Sequence, residues 1–419
     1  MPSSANLPLS KMRALLLLIA ALPLTAADQG PLAQAMQPFV DQKIIAGAVM
    51  LVTDKDKILD VETVGFASLD EKKPMVANNL FWLASISKTF AGTAIMMLVD
   101  EGKLRIDDPV EKYLPEFKGQ QVADEKDPTK LHPPAHLLTI KELLNHTSGI
   151  VTPQDKRLKR TDDVLKDEVA QYGTLPLIRE PGTRFEYNNC GINTAGRIVE
   201  VVSGMPYADF IQQRLLTPLK MTDTGFWPNE EQVSRHARTS KWNDVHTEFT
   251  DLPFKPDANQ LKKAPAGPKV PLRLLTEQGS AFIGFYAHRY AMPAGGLFST
   301  ADDMARYGQM FLNHGDFGGH HYLSAEAIGM MTSDQTKDIK VSPSEARGLG
   351  WFVKMRDTDG PAAGSFGHRG ARAPALWIDP KNGLAMVLLI ESWDLKGKDH
   401  ENVAGAFFKT AVAKFGKAH

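Results

Sequence analysis

Residues 89–99 constrain this chain more than any other stretch. Phe90, Ala91, Ala94, Ile95, Met96, Met97, Leu98 and Val99 leave almost no polar side to a helix built from them, and Gly102 supplies its stop. Such a helix cannot lie on a surface; the rest of the protein has to enclose it. That demands a large core, and 419 residues with 43% hydrophobic and 23% charged side chains supply one.

Periodicity sets the elements around it. Residues 31–42 place Leu32, Met36, Phe39 and Val40 at helical spacing, and 46–52 and 58–66 read as two strands joined through Asp54, Lys55 and Asp56. Strand character returns at 349–353, 375–378 and 384–390, separated by turns at 357–360 and 379–383. A last helix puts Val403, Phe407, Phe408, Val412 and Phe415 on one stripe. Between the two ends, Thr139 with Glu142 and Thr300 with Asp303 mark helix starts. A helical connector is expected at 151–180, with helices around 195–202 and 207–215. The polar segment 119–136 reads as a surface insertion, and 228–290, rich in Pro and Lys, as loops shaping a pocket. Strands at both ends with helices between predict an α+β fold. One antiparallel sheet, built from both chain ends and flanked by terminal helices, faces a largely helical second lobe across a cleft. The division is a single domain at 28–419, with a sheet lobe at about 31–80 plus 345–419 and a helical lobe at about 81–344.

Lys11 and Arg13 precede the apolar run 14–24, and the small residues Thr25, Ala26 and Ala27 follow. This is the layout of a secretory signal over residues 1–27, cleaved after Ala27 or Ala26, and the run is too short to span a bilayer. The expectation is a secreted or periplasmic protein with no stable membrane insertion after the signal is removed. Cys190 is the single cysteine, which rules out an intramolecular disulfide and reads as a packed small residue. Lys plus Arg is 48 against 49 for Asp plus Glu, so no basic excess points to nucleic acid or a membrane surface. His132 with His136 and His320 with His321 are poor metal pairs: prolines deny the first a helical face, and no carboxylate set accompanies either. No phosphate loop or dinucleotide fingerprint is present, so neither metal nor organic cofactor is expected.

Ser85 and Lys88 stand one helical turn apart. A helix beginning at or near Ser85 points unpaired N–H groups and partial positive charge at the hydroxyl, which suits an oxygen that becomes anionic. Lys88, held in an apolar helix, loses hydration and moves toward the neutral amine, which accepts a proton. No G-x-S-x-G elbow occurs, which disfavours the α/β-hydrolase fold.

Ser85-Ile-Ser-Lys88, Tyr187-Asn-Asn189 and His368-Arg-Gly370 occur in the order and placement of the serine β-lactamases and penicillin-recognising hydrolases. The chain resembles most the class C β-lactamase-related branch, which includes esterases and D-amino-acid peptidases. Residues 143–149, Pro181-Gly182 and 295–300 carry supporting phrases, and the resemblance covers residues 32–415. It implies that Ser85 attacks a carbonyl to form an acyl-enzyme, while Lys88 and Tyr187 share the proton work, either being the base. Beside an ammonium Tyr187 would be held partly as phenolate. Asn189 is implied to hold Lys88 and touch the substrate, and residues 368–370 to form an edge strand beside the nucleophile. Gly370 is implied to let the substrate lie close to the backbone, and the Ala371 N–H to join that of Ser85 as an oxyanion donor. The sequence departs from the lactamase pattern at His368, where lactamases carry a lysine for the drug's carboxylate. Histidine is largely neutral near pH 7, which leaves Arg369 or Arg372 as compensating cations. The resulting expectation is an exported serine hydrolase acting on an ester or peptide-like amide of a small-molecule or peptide-like substrate. The alternatives are β-lactamase or D-Ala carboxypeptidase activity with the same residues, or a slowly acylating penicillin-binding sensor without turnover.

Overall fold

The computed structural model describes residues 29–159, 164–243, 245–252 and 290–417. The signal expected at 1–27 lies outside these residues, as does most of 228–290. The opening helix, Pro31–Asp41, is anchored at its start, where the N–H groups of Leu32 and Ala33 donate to the Glu62 carboxylate at 3.3 and 2.7 Å. Three strands follow: β1 (Gly47–Thr53), β2 (Ile58–Ser68) and β3 (Lys73–Pro74). The other end of the chain supplies β4 (Glu345–Arg347), β5 (Phe352–Lys354), β6 (Phe366–Arg369), β7 (Ala375–Asp379) and β8 (Leu384–Leu389). They join as one antiparallel sheet in the order β4-β5-β6-β7-β8-β1-β2-β3. In the central pairing Val49 faces Leu389 and Leu51 faces Val387. The expectation of a sheet stitched from both ends is met.

Strands β1 and β8 are buried at every position because both sheet faces are covered. The period-two alternation of β1 sends Ala48, Met50 and Val52 toward Leu32 and Met36 of the opening helix and Phe407 of the terminal helix, Gly397–Phe415. Val49 and Leu51 point the other way, into the larger core with Met304 and Phe311 of the Ala301–Leu312 helix. At Gly308 a Cβ would lie 2.6 Å from the Ala385 Cβ, so that helix approaches β8 at a spacing only glycine permits.

The central helix, Ser87–Asp100, is buried from Ser87 to Leu98, as its composition requires. Phe90 stacks on Tyr307 with ring centres 4.2 Å apart. The turn between β4 and β5 closes another side, since a Cβ on Gly92 would lie 2.2 Å from the Leu349 carbonyl oxygen. Among the described residues no helix is long and apolar enough to cross a membrane.

Several boundaries differ from expectation. Residues 349–351 form a turn rather than a strand, because Gly350 at φ +84° packs under the central helix. Among its described residues the connector 151–180 contains one helix, Leu165–Thr174, and the helix expected at 195 begins at Asn189. The described part of 228–290 includes a capped helix, Glu230–Ser234, and the paired strands Ser240–Trp242 and Phe249–Asp251. Strand β6, expected at an edge, lies inside the sheet. Its neighbour β5 pairs only with Phe366 and Gly367, however, so His368 and Arg369 run past the cover of that strand.

Candidate active site

Several bonds fix the approach to Ser85. Phe81–Trp82 pairs with Phe298–Ser299, the Leu83 N–H donates to the Leu297 carbonyl at 2.9 Å, and the Leu297 N–H donates to Ser87 Oγ at 3.0 Å. The Trp82 indole donates to the Gly295 carbonyl at 2.7 Å, and its backbone N–H to the buried Glu391 carboxylate at 3.0 Å. The chain then turns sharply. Ala84 sits at φ +47°, a conformation rare outside glycine, and opens the 3-10 turn Ala84–Ile86 that leads into the helix at Ser87. Ser85 rides on this corner.

Gly370 serves the same corner, and its expected role needs correction. A Cβ there would lie 2.4 Å from the Leu83 carbonyl oxygen, 2.6 Å from Pro374 Cγ and 3.2 Å from Ala84 Cβ. The space left by the missing side chain is filled by the nucleophile's own turn and is not open to a substrate.

Lys88 is fully buried. Its Nζ lies 3.0 Å from Ser85 Oγ and donates to the Ala294 carbonyl at 2.5 Å. Burial first, and the charge of Arg347 second, hold this amine well below its ordinary pKa. A neutral amine keeps an N–H for Ala294 and a lone pair for the hydroxyl of Ser85.

Tyr187 completes the group. Its ring centre is 4.9 Å from Lys88 Nζ and 4.6 Å from the ring of His146. The residue as a whole keeps 39% of its surface exposed. Desolvation pushes the phenol up to about 12, against the lowering effects of the nearby Ser85 hydroxyl and of the Arg347 and Arg369 charges. The expected phenolate is therefore not favoured: Lys88 is itself desolvated, so the ammonium that would lower the phenol is missing. The segment is held by Asn188, whose Oδ1 accepts from the Cys190 N–H at 2.8 Å and whose Nδ2 donates to the Ile150 and Val151 carbonyls at 2.9 and 3.1 Å. The Asn188 N–H donates to His146 Nδ1 at 3.1 Å. The thiol of Cys190 is buried and pushed up to about 12, as suits a packing residue.

Asn189 is placed differently from expectation. It opens the Asn189–Ser203 helix, and its Oδ1 is buried without a hydrogen-bond partner, while the bonds of Lys88 go to Ser85 and Ala294. The support for Lys88 comes one turn later, where Asn193 Oδ1 accepts from the Ala294 N–H at 3.1 Å. Helical spacing from Asn189 was the available signal for Asn193.

His368 is buried, and its Nδ1 donates to the Arg369 carbonyl at 2.7 Å. That bond places the ring proton on Nδ1 and leaves Nε2 a bare acceptor, buried and without a partner. Burial, then the charges of Lys88 and Arg347, hold the ring well below its ordinary pKa. His368 thus does not replace the lactamase cation. Arg369 is engaged with Glu345 at 2.6 Å, and the Arg372 guanidinium lies 3.5 Å from the centre of the Trp393 ring. Beyond β6 the Gly370 N–H donates to Pro374 and the Ala373 N–H to Gly370, with Arg372 and Ala373 at φ +71° and +76°. This tight turn uses the N–H groups of Gly370 and Ala373. Ala371 itself is exposed, and among the described residues neither its N–H nor that of Ser85 enters a backbone bond. No group of His, Cys, Asp and Glu able to hold a metal occurs among the described residues.

Besides Asn193 and Ala294, two contributors escaped sequence reasoning. His146 positions Tyr187, as above. Arg347, at the end of β4, is 4% exposed and lies with its guanidinium carbon 5.4 Å from the centre of the Tyr187 ring.

The family model described as Beta-lactamase matches residues 32–406. Protein Rv1367c of Mycobacterium tuberculosis is 30% identical over 405 residues, covering 90% of this chain and 94% of that protein. Esterase EstB of Burkholderia gladioli is 27% identical over 394 residues, covering 86% of this chain and 91% of the esterase. Among solved structures, EstCE1, a hydrolase with promiscuous acyltransferase activity, superposes with a TM-score of 0.68 at 21% identity, covering 90% of this chain and 97% of its own.

Proposed function

We propose, from the premise that this chain belongs to the Beta-lactamase family and is a serine hydrolase, that it is exported and cleaves an ester or peptide-like amide through an acyl intermediate on Ser85. The observation that carries this reading is the buried Lys88 amine 3.0 Å from Ser85 Oγ. Held neutral by desolvation, it takes the hydroxyl proton as Oγ forms its bond to the substrate carbonyl carbon. The developing oxyanion is met by the N–H groups of Ser85 and Ala371. As the C–O or C–N bond breaks, the leaving group takes the proton from Lys88, relayed through the neutral hydroxyl of Tyr187. Water then adds to the acyl-enzyme, gives its proton back along the same path, and frees Ser85 with release of the acid.

The unpartnered Asn189 Oδ1 supports the amide arm of the reading, since it offers an acceptor to a substrate N–H. The similarity to Esterase EstB supports the ester arm. Export rests on the charged, apolar and small-residue succession at residues 11–27.

Intact-protein mass spectrometry after incubation with a panel of esters, D-alanyl peptides and β-lactams tests the reading. A transient acyl adduct on Ser85, absent from Ser85→Ala, is expected. An adduct that forms and never decays would favour the sensor reading, and hydrolysis undiminished in Ser85→Ala would overturn the assignment of the nucleophile.

A further inference from the structure

We infer that Arg347 is the residue through which this active site selects substrates bearing a carboxylate, an inference that rests on Ser85 being the acylated residue. The strand fixes its backbone: the Arg347 carbonyl accepts from the Gln335 N–H at 2.7 Å, and its N–H donates to Thr336 Oγ1 at 3.4 Å. Three rings surround the guanidinium, those of Phe352 at 3.3 Å, Phe185 at 4.8 Å and Tyr187 at 5.4 Å from its carbon. Rings cover faces and leave the in-plane N–H groups to find partners. Among the described residues none receives them: the side chain donates no hydrogen bond, and Nε is buried without a partner.

Among the described residues no carboxylate forms an ion pair with it either: Glu345, whose charge acts on it through space, is bonded to Lys354 at 2.8 Å and Arg369 at 2.6 Å. A buried cation left without an anion is costly, so its retention calls for a function. The surrounding basic groups Lys88, His146 and His368 are all held toward their neutral forms, and the Arg347 charge contributes to each of those shifts. Burial brings Arg347 itself down to about 9, so it stays charged at neutral pH. The site thus holds, among the described residues, a positive charge with no ion pair of its own and unpartnered donors beside Tyr187. A carboxylate matches both the charge and the fork geometry. The cation comes from β4, not from the His368 position on β6.

The test uses two matched pairs: phenyl butyrate with 3-carboxyphenyl butyrate as substrates, and phenylboronic acid with 3-carboxyphenylboronic acid as competitors of fluorophosphonate labelling at Ser85. The first pair places the carboxylate on the leaving group and the second on the group bonded to Ser85. The carboxylated member of at least one pair should be preferred by wild type, and in Arg347→Gln that preference should fall about tenfold to a hundredfold. Arg347→Lys, which keeps the charge without the fork, should fall between. The preference is the quantity to read, because loss of the guanidinium also eases protonation of Lys88 and alters both members alike. No preference in wild type for either pair, a measurement that needs no variant, would overturn the inference. So would a preference that survives in Arg347→Gln, which would reduce the arginine to a tuner of Lys88. Failure of the hydrolase reading looks different: Ser85 goes unlabelled by the fluorophosphonate, and Ser85→Ala cleaves phenyl butyrate as wild type does.

Discussion

Replacing Lys88 with methionine tests whether the amine is neutral in the folded protein, the point on which the proton transfer depends. In the unfolded chain this lysine takes up a proton below its ordinary pKa of 10.5, whereas in the folded protein it does so only at a much lower pH. Between those limits the unfolded state binds one more proton, so this group makes wild-type stability rise with pH by about 1.4 kcal/mol per unit. Lys88→Met lacks the group. Its stability relative to wild type should therefore be greatest at the acidic end of the window and decline by about 1.4 kcal/mol per unit toward 10.5. Losing the partner of the Ala294 carbonyl costs about 1–3 kcal/mol, which moves the curve vertically and leaves its slope alone. Urea unfolding of both proteins at steps between about pH 8 and 10 gives the difference directly. The same variant should lose on the order of 10³-fold or more in hydrolysis. Parallel stability curves would mean that Lys88 is protonated when folded, and would refute its role as the base.

Gly370→Val puts a Cβ 2.4 Å from the Leu83 carbonyl oxygen, so it should cost about 1–3 kcal/mol and slow fluorophosphonate labelling of Ser85 by displacing the corner. Unchanged stability and labelling would show that the turn has slack. Tyr187→Phe should lower hydrolysis by about 10²-fold or more while leaving the acid limb of the pH profile in place, because the Lys88 shift comes from burial and Arg347 rather than from the phenol. A limb that moves with the phenol would return Tyr187 to the role of base.

What could be read from the chain was what is local in it. The central helix announces its burial by composition, and Ser85 and Lys88 share a turn, so their closeness follows from spacing alone. The hairpin of β1 and β2 and the cap at Thr139 were legible for the same reason. The site's supports were not, because they arrive from far along the chain. Ala294 meets Lys88 across the fold, Asn193 serves Ala294 from another helix, and Arg347 reaches Tyr187 from a three-residue strand too short to show a period. Charge states were illegible too. Whether Tyr187 lies beside an ammonium or an amine depends on how completely Lys88 is enclosed, which no pair of motifs records.

The pairing of β1 with β8 also bears on how the protein comes into being. A ribosome delivers residues 47–53 long before residues 384–389, yet each is the other's neighbour in the sheet. The first hairpin must wait for all the residues between before its open side is covered, and closing so long a loop makes this a late step. A nascent chain thus carries an open strand edge on its first hairpin until residues 384–389 have been made.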